Sequence, residues 1–213
     1  MAYFIKTGFW EKARKGYKEW LNLDELIQSL APPAPEPAYK VYTALLTQNG
    51  GDNELFIEDF LTVGTQNIIK GVSYYIDVNT DNVDFSSIGA PSNAEGTNFI
   101  ATADKLNSDF PDVTWSLRYN TGAPVVTVLE NTIGNIWFEY RNTGEYRIYS
   151  DSQFIQNKTF AITAFPGNTN SGGSAAIYVN QVPQYLSMET RDYSGSLSDD
   201  ILYDTSIEIR VYN

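Results

Sequence analysis

Residues 124–150 read PVVTVLENTIGNIWFEYRNTGEYRIYS, and the fold class turns on this stretch. Val126, Val128, Ile136, Phe138, Tyr140, Tyr146 and Ile148 stand in runs dense in β-branched and aromatic side chains, which suit a pleated, half-buried surface. Asn131-Thr132-Ile133-Gly134-Asn135 interrupts the first run and Arg141-Asn142-Thr143-Gly144-Glu145 the second. Gly144 can take the positive φ of a tight reversal. The expectation is three consecutive antiparallel strands, a meander. No residue in it has the pattern of a catalyst.

Working outward, Tyr39 to Gln48 reads as a strand closed by Asn49-Gly50-Gly51-Asp52, with further strands over 55–63, 68–78, 98–102 and 113–119. Asn79 to Asn98 is dense in Asn, Asp, Ser and Gly and reads as loop. After Ser150, Thr159–Phe165 and Ala175–Gln181 suggest a strand pair around a long turn, Pro166 to Ser174. Gln184–Asp192 and Thr205–Tyr212 suggest the last pair. Ile207, Ile209 and Val211 alternate with Glu208, Arg210 and Tyr212, so one face of the closing strand is buried. This pattern, some ten or eleven short strands, predicts an all-β chain. It would be an antiparallel β-sandwich or jelly-roll-like body over 39–213, with an inserted β segment at about 52–112 and a short extended or helical N-terminal anchoring arm.

Composition narrows the chemistry. The 213 residues include no cysteine and no histidine. That removes disulfides, thiol nucleophiles and zinc–thiolate sites, along with the commonest general base and metal ligand. The expectation is a non-enzymatic protein without a cofactor. The net charge of −12 argues against nucleic acid as the main partner, since binding there neutralises phosphates. No apolar run approaches the ~20 residues of a membrane span, and MAYFIKTGFW lacks the apolar region and cleavage site of a signal peptide.

Charge is also unevenly placed. Residues 1–20 carry five basic and two acidic side chains, net +3, whereas the other 193 carry nine basic and 24 acidic, net −15. Residues 1–30 form the candidate arm. Its aromatics include Phe4, Phe9, Trp10, Tyr17 and Trp20, set among Lys12, Arg14, Lys15 and Lys18. Asn22 and Glu25 have the spacing of a capping box, and Leu23, Leu26, Ile27 and Leu30 make an apolar stripe on a helix of barely two turns. So short a helix needs something to rest on. It could fold back on its own body, lie on a membrane surface, or seat in a partner. The segment 31–38, APPAPEPA, has four prolines in six residues and favours extended polyproline II, a stiff spacer. A spacer holds an arm away from its body, which favours the anchor. Phe4, Phe9, Trp10, Trp20, Leu23, Leu26 and Ile27 would supply buried area, and the four cations would meet an acidic surface.

Three segments invite a chemical reading. Asp77 to Asp84 spaces oxygen ligands at alternate positions, but Asn82 and Ile88 stand where a calcium loop uses Gly and Glu, so a solvated turn is expected. Asp199-Asp200 reads as a solvated loop pair. Gly167 to Gly173 lacks the lysine of a phosphate loop. Arg118, Arg141, Arg147 and Arg210 are expected to form surface ion pairs with the many carboxylates.

VLENTIGNIWFEYRNTGEYRI, with YKVYTALLTQNG ahead of it and DTSIEIRVYN at the end, resembles a module recurring in virion proteins of tailed bacteriophages. The likeness is to phages of Bacteroidetes above all, crAss-like phages included, and it spans about residues 39–213. The segment from Asp84 to Thr102 resembles an insert common in such proteins, and FIKTGFWEKARKGYKEWLNLDELI looks like a virion-attachment segment. The resemblance implies a structural protein located in the virion, a head-fibre base or capsid-decorating protein docked through residues 1–30 on capsid or other virion proteins. It brings over no catalytic residue. Fibres need symmetric association, so a homo-oligomer is expected, trimer before dimer. The alternative is a tail-fibre or carbohydrate-binding module that attaches to a host surface glycan.

Overall fold

The closing strand shows how the sequence sorts its faces. In a computed structural model of the chain, Ile207, Ile209 and Val211 are buried while Glu208, Arg210 and Tyr212 face outward. The structure describes residues 37–48, 58–62, 67–120, 122–163, 173–179 and 184–213. Ala38–Asn213 forms one compact unit. The twelve candidate anchor residues, from Phe4 to Ile27, and most of the proline spacer lie outside the described residues.

Among the described residues there are twelve strands: β1 (Tyr39–Thr47), β2 (Glu58–Thr62), β3 (Ser73–Asn79), β4 (Asn98–Ile100), β5 (Trp115–Asn120), β6 (Val125–Asn131), β7 (Ile136–Asn142), β8 (Glu145–Ser150), β9 (Thr159–Thr163), β10 (Gly173–Val179), β11 (Tyr185–Asp192) and β12 (Thr205–Tyr212). They make three antiparallel four-stranded sheets, ordered β6-β1-β12-β9, β10-β11-β8-β7 and β2-β5-β3-β4. The first two share one core, in which Tyr42, Leu46, Phe138, Tyr146, Met188 and Ile209 meet. The third sheet is the insert, and it has its own core around Ile76, Phe85, Phe99, Trp115 and Leu117. Burying a side chain of this size contributes about 1.5–3 kcal/mol, so the insert is a structural unit and not a long loop. The expected all-β antiparallel body is what forms.

The pairing corrects several expectations. Residues 124–150 are not a meander: β6 pairs with β1, and only β7 and β8 pair with each other. The cause is the turn at 131–135. The Asn131 side chain accepts from Ile133 N and Gly134 N, both at 3.1 Å, and donates to Gly134 O at 2.7 Å. Ile133 is thereby drawn into the core, and the chain crosses from one sheet to the other. Similarly, β9 pairs with β12 and β10 with β11, so the strands before and after residue 170 lie in different sheets. Nor do β11 and β12 pair with each other. Finally, β5 belongs to the insert sheet, which extends the inserted segment past 112 to at least Asn120. The insert leaves from Thr47 and returns to Val125, which are register partners on adjacent strands.

Candidate functional site

Strand alternation and register together build a row of rings on the outer face of the second sheet. Trp137, Tyr149 and Tyr185 are successive partners across β7, β8 and β11. The Trp137 and Tyr149 rings are stacked within 7° at 5.5 Å, and Tyr149 and Tyr185 are tilted at the same separation. One register step away, Arg147 lies 4.2 Å from the centre of the Tyr185 ring and donates to the Tyr149 hydroxyl at 3.3 Å. Tyr149 in turn donates to Glu139 Oε2 at 2.7 Å, and Arg141 pairs with Glu139 Oε1 at 3.0 Å. Burial raises the Tyr149 pKa above that of a free phenol, and the bond from Arg147 opposes the rise. These contacts fix the rings in place.

Trp137 lies on β7, the edge strand of this sheet among the described residues, and the insert docks along that edge. Phe138 N donates to Ser73 Oγ at 3.1 Å, and Asn135 Nδ2 donates to the Asn98 carbonyl at 2.8 Å. Between the two units lies a cleft of about 350 Å³. Trp137, Glu139 and Tyr149 line it from the sandwich; Tyr75, Asn98, Arg118 and Tyr119 line it from the insert. On the insert wall the Arg118 guanidinium sits 5.9 Å from the Tyr75 ring centre and is paired with Asp77 at 2.6 Å. The Trp137 indole N–H and the Tyr75 hydroxyl make no hydrogen bond to the described residues. Glu139 is the one carboxylate on the lining among the described residues, whereas glycoside hydrolysis in its common form uses two that face each other. The lining offers stacking and hydrogen bonding. No known family, curated protein or solved structure matches this chain.

The acidic segments are structural. Asp84 accepts from Ser86 N at 2.9 Å, Ser86 Oγ at 3.0 Å and Asn93 Nδ2 at 3.1 Å, and these bonds hold its pKa below the usual carboxylate value. Asn79 bridges Val83 and Asn93, and Asp81 accepts from Thr114 N. The turn at 77–84 is the solvent-exposed turn expected, with Asp81 and Asp84 both at the surface, and its oxygens also hold the loop together. No group of three or more potential metal-ligating side chains converges among the described residues. Asp199 departs from expectation. It accepts from Tyr140 Oη at 2.9 Å and Gly144 N at 2.8 Å, fastening the β7–β8 hairpin to the loop before β12. Asp200 is exposed. Of the four arginines, Arg118, Arg141 and Arg210 form the expected ion pairs, the last with Glu208. Arg147 instead covers an aromatic ring. Of the glycine-rich run, only Gly173 is described.

A second cavity, about 460 Å³, lies between the insert and β6. Tyr42 is on its wall, fully buried, and its hydroxyl has no hydrogen-bond partner among the described residues.

Of the side chains lining the cleft, Arg118 alone stood out as a candidate in the sequence, together with Arg141 and Arg147, which contact Glu139 and Tyr149. Period-two alternation puts Trp137 with Glu139, and Arg147 with Tyr149, on the outward face of their strands. That signal was present in the chain. The meeting of those strands with Tyr75 and Tyr119 depends on long-range docking, which has no local signature.

Proposed function

We propose that this protein is a non-enzymatic structural component of a bacteriophage particle, a head-fibre base or capsid-decorating protein. Residues 1–30 attach it to capsid or other virion proteins, and the β body projects from the particle as a homo-oligomer. The carrying observation is the division of the chain into an aromatic leader whose first twenty residues carry net +3, a proline spacer, and a body over 39–213 with nine basic and 21 acidic side chains, net −12. Such a leader suits an acidic partner surface, where complementary charge speeds and orders docking. The body supports the reading in one further respect. β1 begins at Tyr39, directly after the proline spacer, and lies inside its sheet, flanked by β6 and β12.

The test is deletion of residues 1–30. The shortened chain is expected to stay folded by circular dichroism and to lose co-sedimentation with particles assembled from the remaining virion proteins. Continued incorporation would overturn the anchor. Mass measurement in solution is expected to return a trimer.

A further inference from the structure

We propose that the cleft between the sandwich and the insert is a saccharide-binding site, which takes a pyranose ring from a neutral glycan. This goes beyond the virion reading and does not rest on it. A pyranose has a C–H-lined face that is apolar and a rim of hydroxyls that must stay hydrogen-bonded. The cleft is divided in the same way. Trp137 and Tyr149 present a rigid, parallel pair of rings on one side, and Tyr75 and Tyr119 face the cleft from the other. Large rings held in place contribute contact area at little entropic cost. The polar rim is also present. The Trp137 N–H and Tyr75 hydroxyl have no partner among the described residues and can donate to sugar oxygens. Glu139, whose oxygens each accept one bond from the protein, keeps lone pairs for sugar hydroxyls.

Three features favour a neutral sugar. Glu139 places a carboxylate on the lining, Asp77 already pairs with Arg118, and the surrounding body is strongly acidic. Glu139 and the acidic body would repel an anionic glycan, and Arg118, the one cation on the lining among the described residues, is already neutralised by Asp77. The size fits as well, since clefts for small ligands begin at roughly 300 Å³.

The full-length chain should be screened on an array of neutral and anionic oligosaccharides, and any hit titrated by tryptophan fluorescence. Saturable binding of a neutral pyranose oligosaccharide is expected. Trp137→Ala and Tyr75→Ala should each weaken it by roughly tenfold or more. Tyr193→Ala, at a side chain 81% exposed, should leave it unchanged. If Trp137→Ala does not fold, Tyr75→Ala carries the comparison. Three outcomes overturn the proposal: silence across the neutral sugars, binding confined to anionic ones, or variants in the cleft that bind like the parent chain. Particle attachment through residues 1–30 is a separate readout, so the two readings can fail independently.

Discussion

Replacing Tyr42 by Phe should make this protein more stable. Tyr42 lies on the inner face of β1 with no exposed surface, its hydroxyl has no partner among the described residues, and burial pushes its pKa far above that of free tyrosine. Burying a hydroxyl without a hydrogen bond costs about 1–3 kcal/mol by mutational measure. Phenylalanine keeps the ring and its contacts and removes that cost. Taking the lower end, the gain is about 1 kcal/mol. With a urea slope of ~2 kcal/mol/M, the unfolding midpoint should rise by about 0.5 M with the slope unchanged. The assay is equilibrium urea denaturation of parent and variant, followed by circular dichroism. A midpoint that falls by a similar amount would refute the reasoning. It would mean that the hydroxyl is satisfied in solution by a water or ligand in the neighbouring 460 Å³ cavity.

Other outcomes follow from the same network of buried groups. Asp199→Ala removes the acceptor for Tyr140 Oη and Gly144 N. Leaving two donors unpaired should cost about 2–4 kcal/mol, read as a lowered urea midpoint. Alkaline pH should unfold the protein. Burial raises the pKa values of Tyr42, Tyr74 and Tyr146 above the ordinary 10.0, that of Tyr74 to about 12. Their contribution is therefore complete below pH 10.0 and is lost as pH climbs through the folded-state values, in Tyr74's case up to about 12. Melting temperature and tyrosinate absorbance should change together over that range, and tyrosines that ionise there without loss of structure would contradict it. At the acid end, Asp84 and Asp192 have pKa values held below 3.8, so the stability they add is present above 3.8 and fades as pH falls further.

Much of the fold was legible locally, because the signals for strands are local. The alternation in Thr205–Tyr212 placed β12 and its buried face correctly, and Thr143-Gly144 marked the β7–β8 reversal. Partner choice was not legible. Nothing at Asn131–Asn135 distinguishes a hairpin from a crossover until Ile133 is seen to enter the core. The pairs β1–β12 and β1–β6 join residues far apart in sequence. The same limit hid the cleft. Trp137 and Tyr149 could be placed on one face from their spacing, but their neighbours Tyr75 and Arg118 come from a unit with a separate core. Asp199 looked idle because its partners are more than fifty residues away.

The insert departs from Thr47 and rejoins at Val125, side by side in the ladder. In chain-connectivity terms a short reversal could join those two points, so the segment between them is a cassette, fastened to the sandwich by Ile100 in its core and by the bond from Val126 N to the Gly71 carbonyl. The sandwich supplies one wall of the cleft and the cassette the other. Exchanging the cassette for another of similar footprint would thus re-cut the opposite wall while Trp137 and Tyr149 stay where they are. Diversity in what such a surface grips could accumulate without the scaffold having to be reinvented.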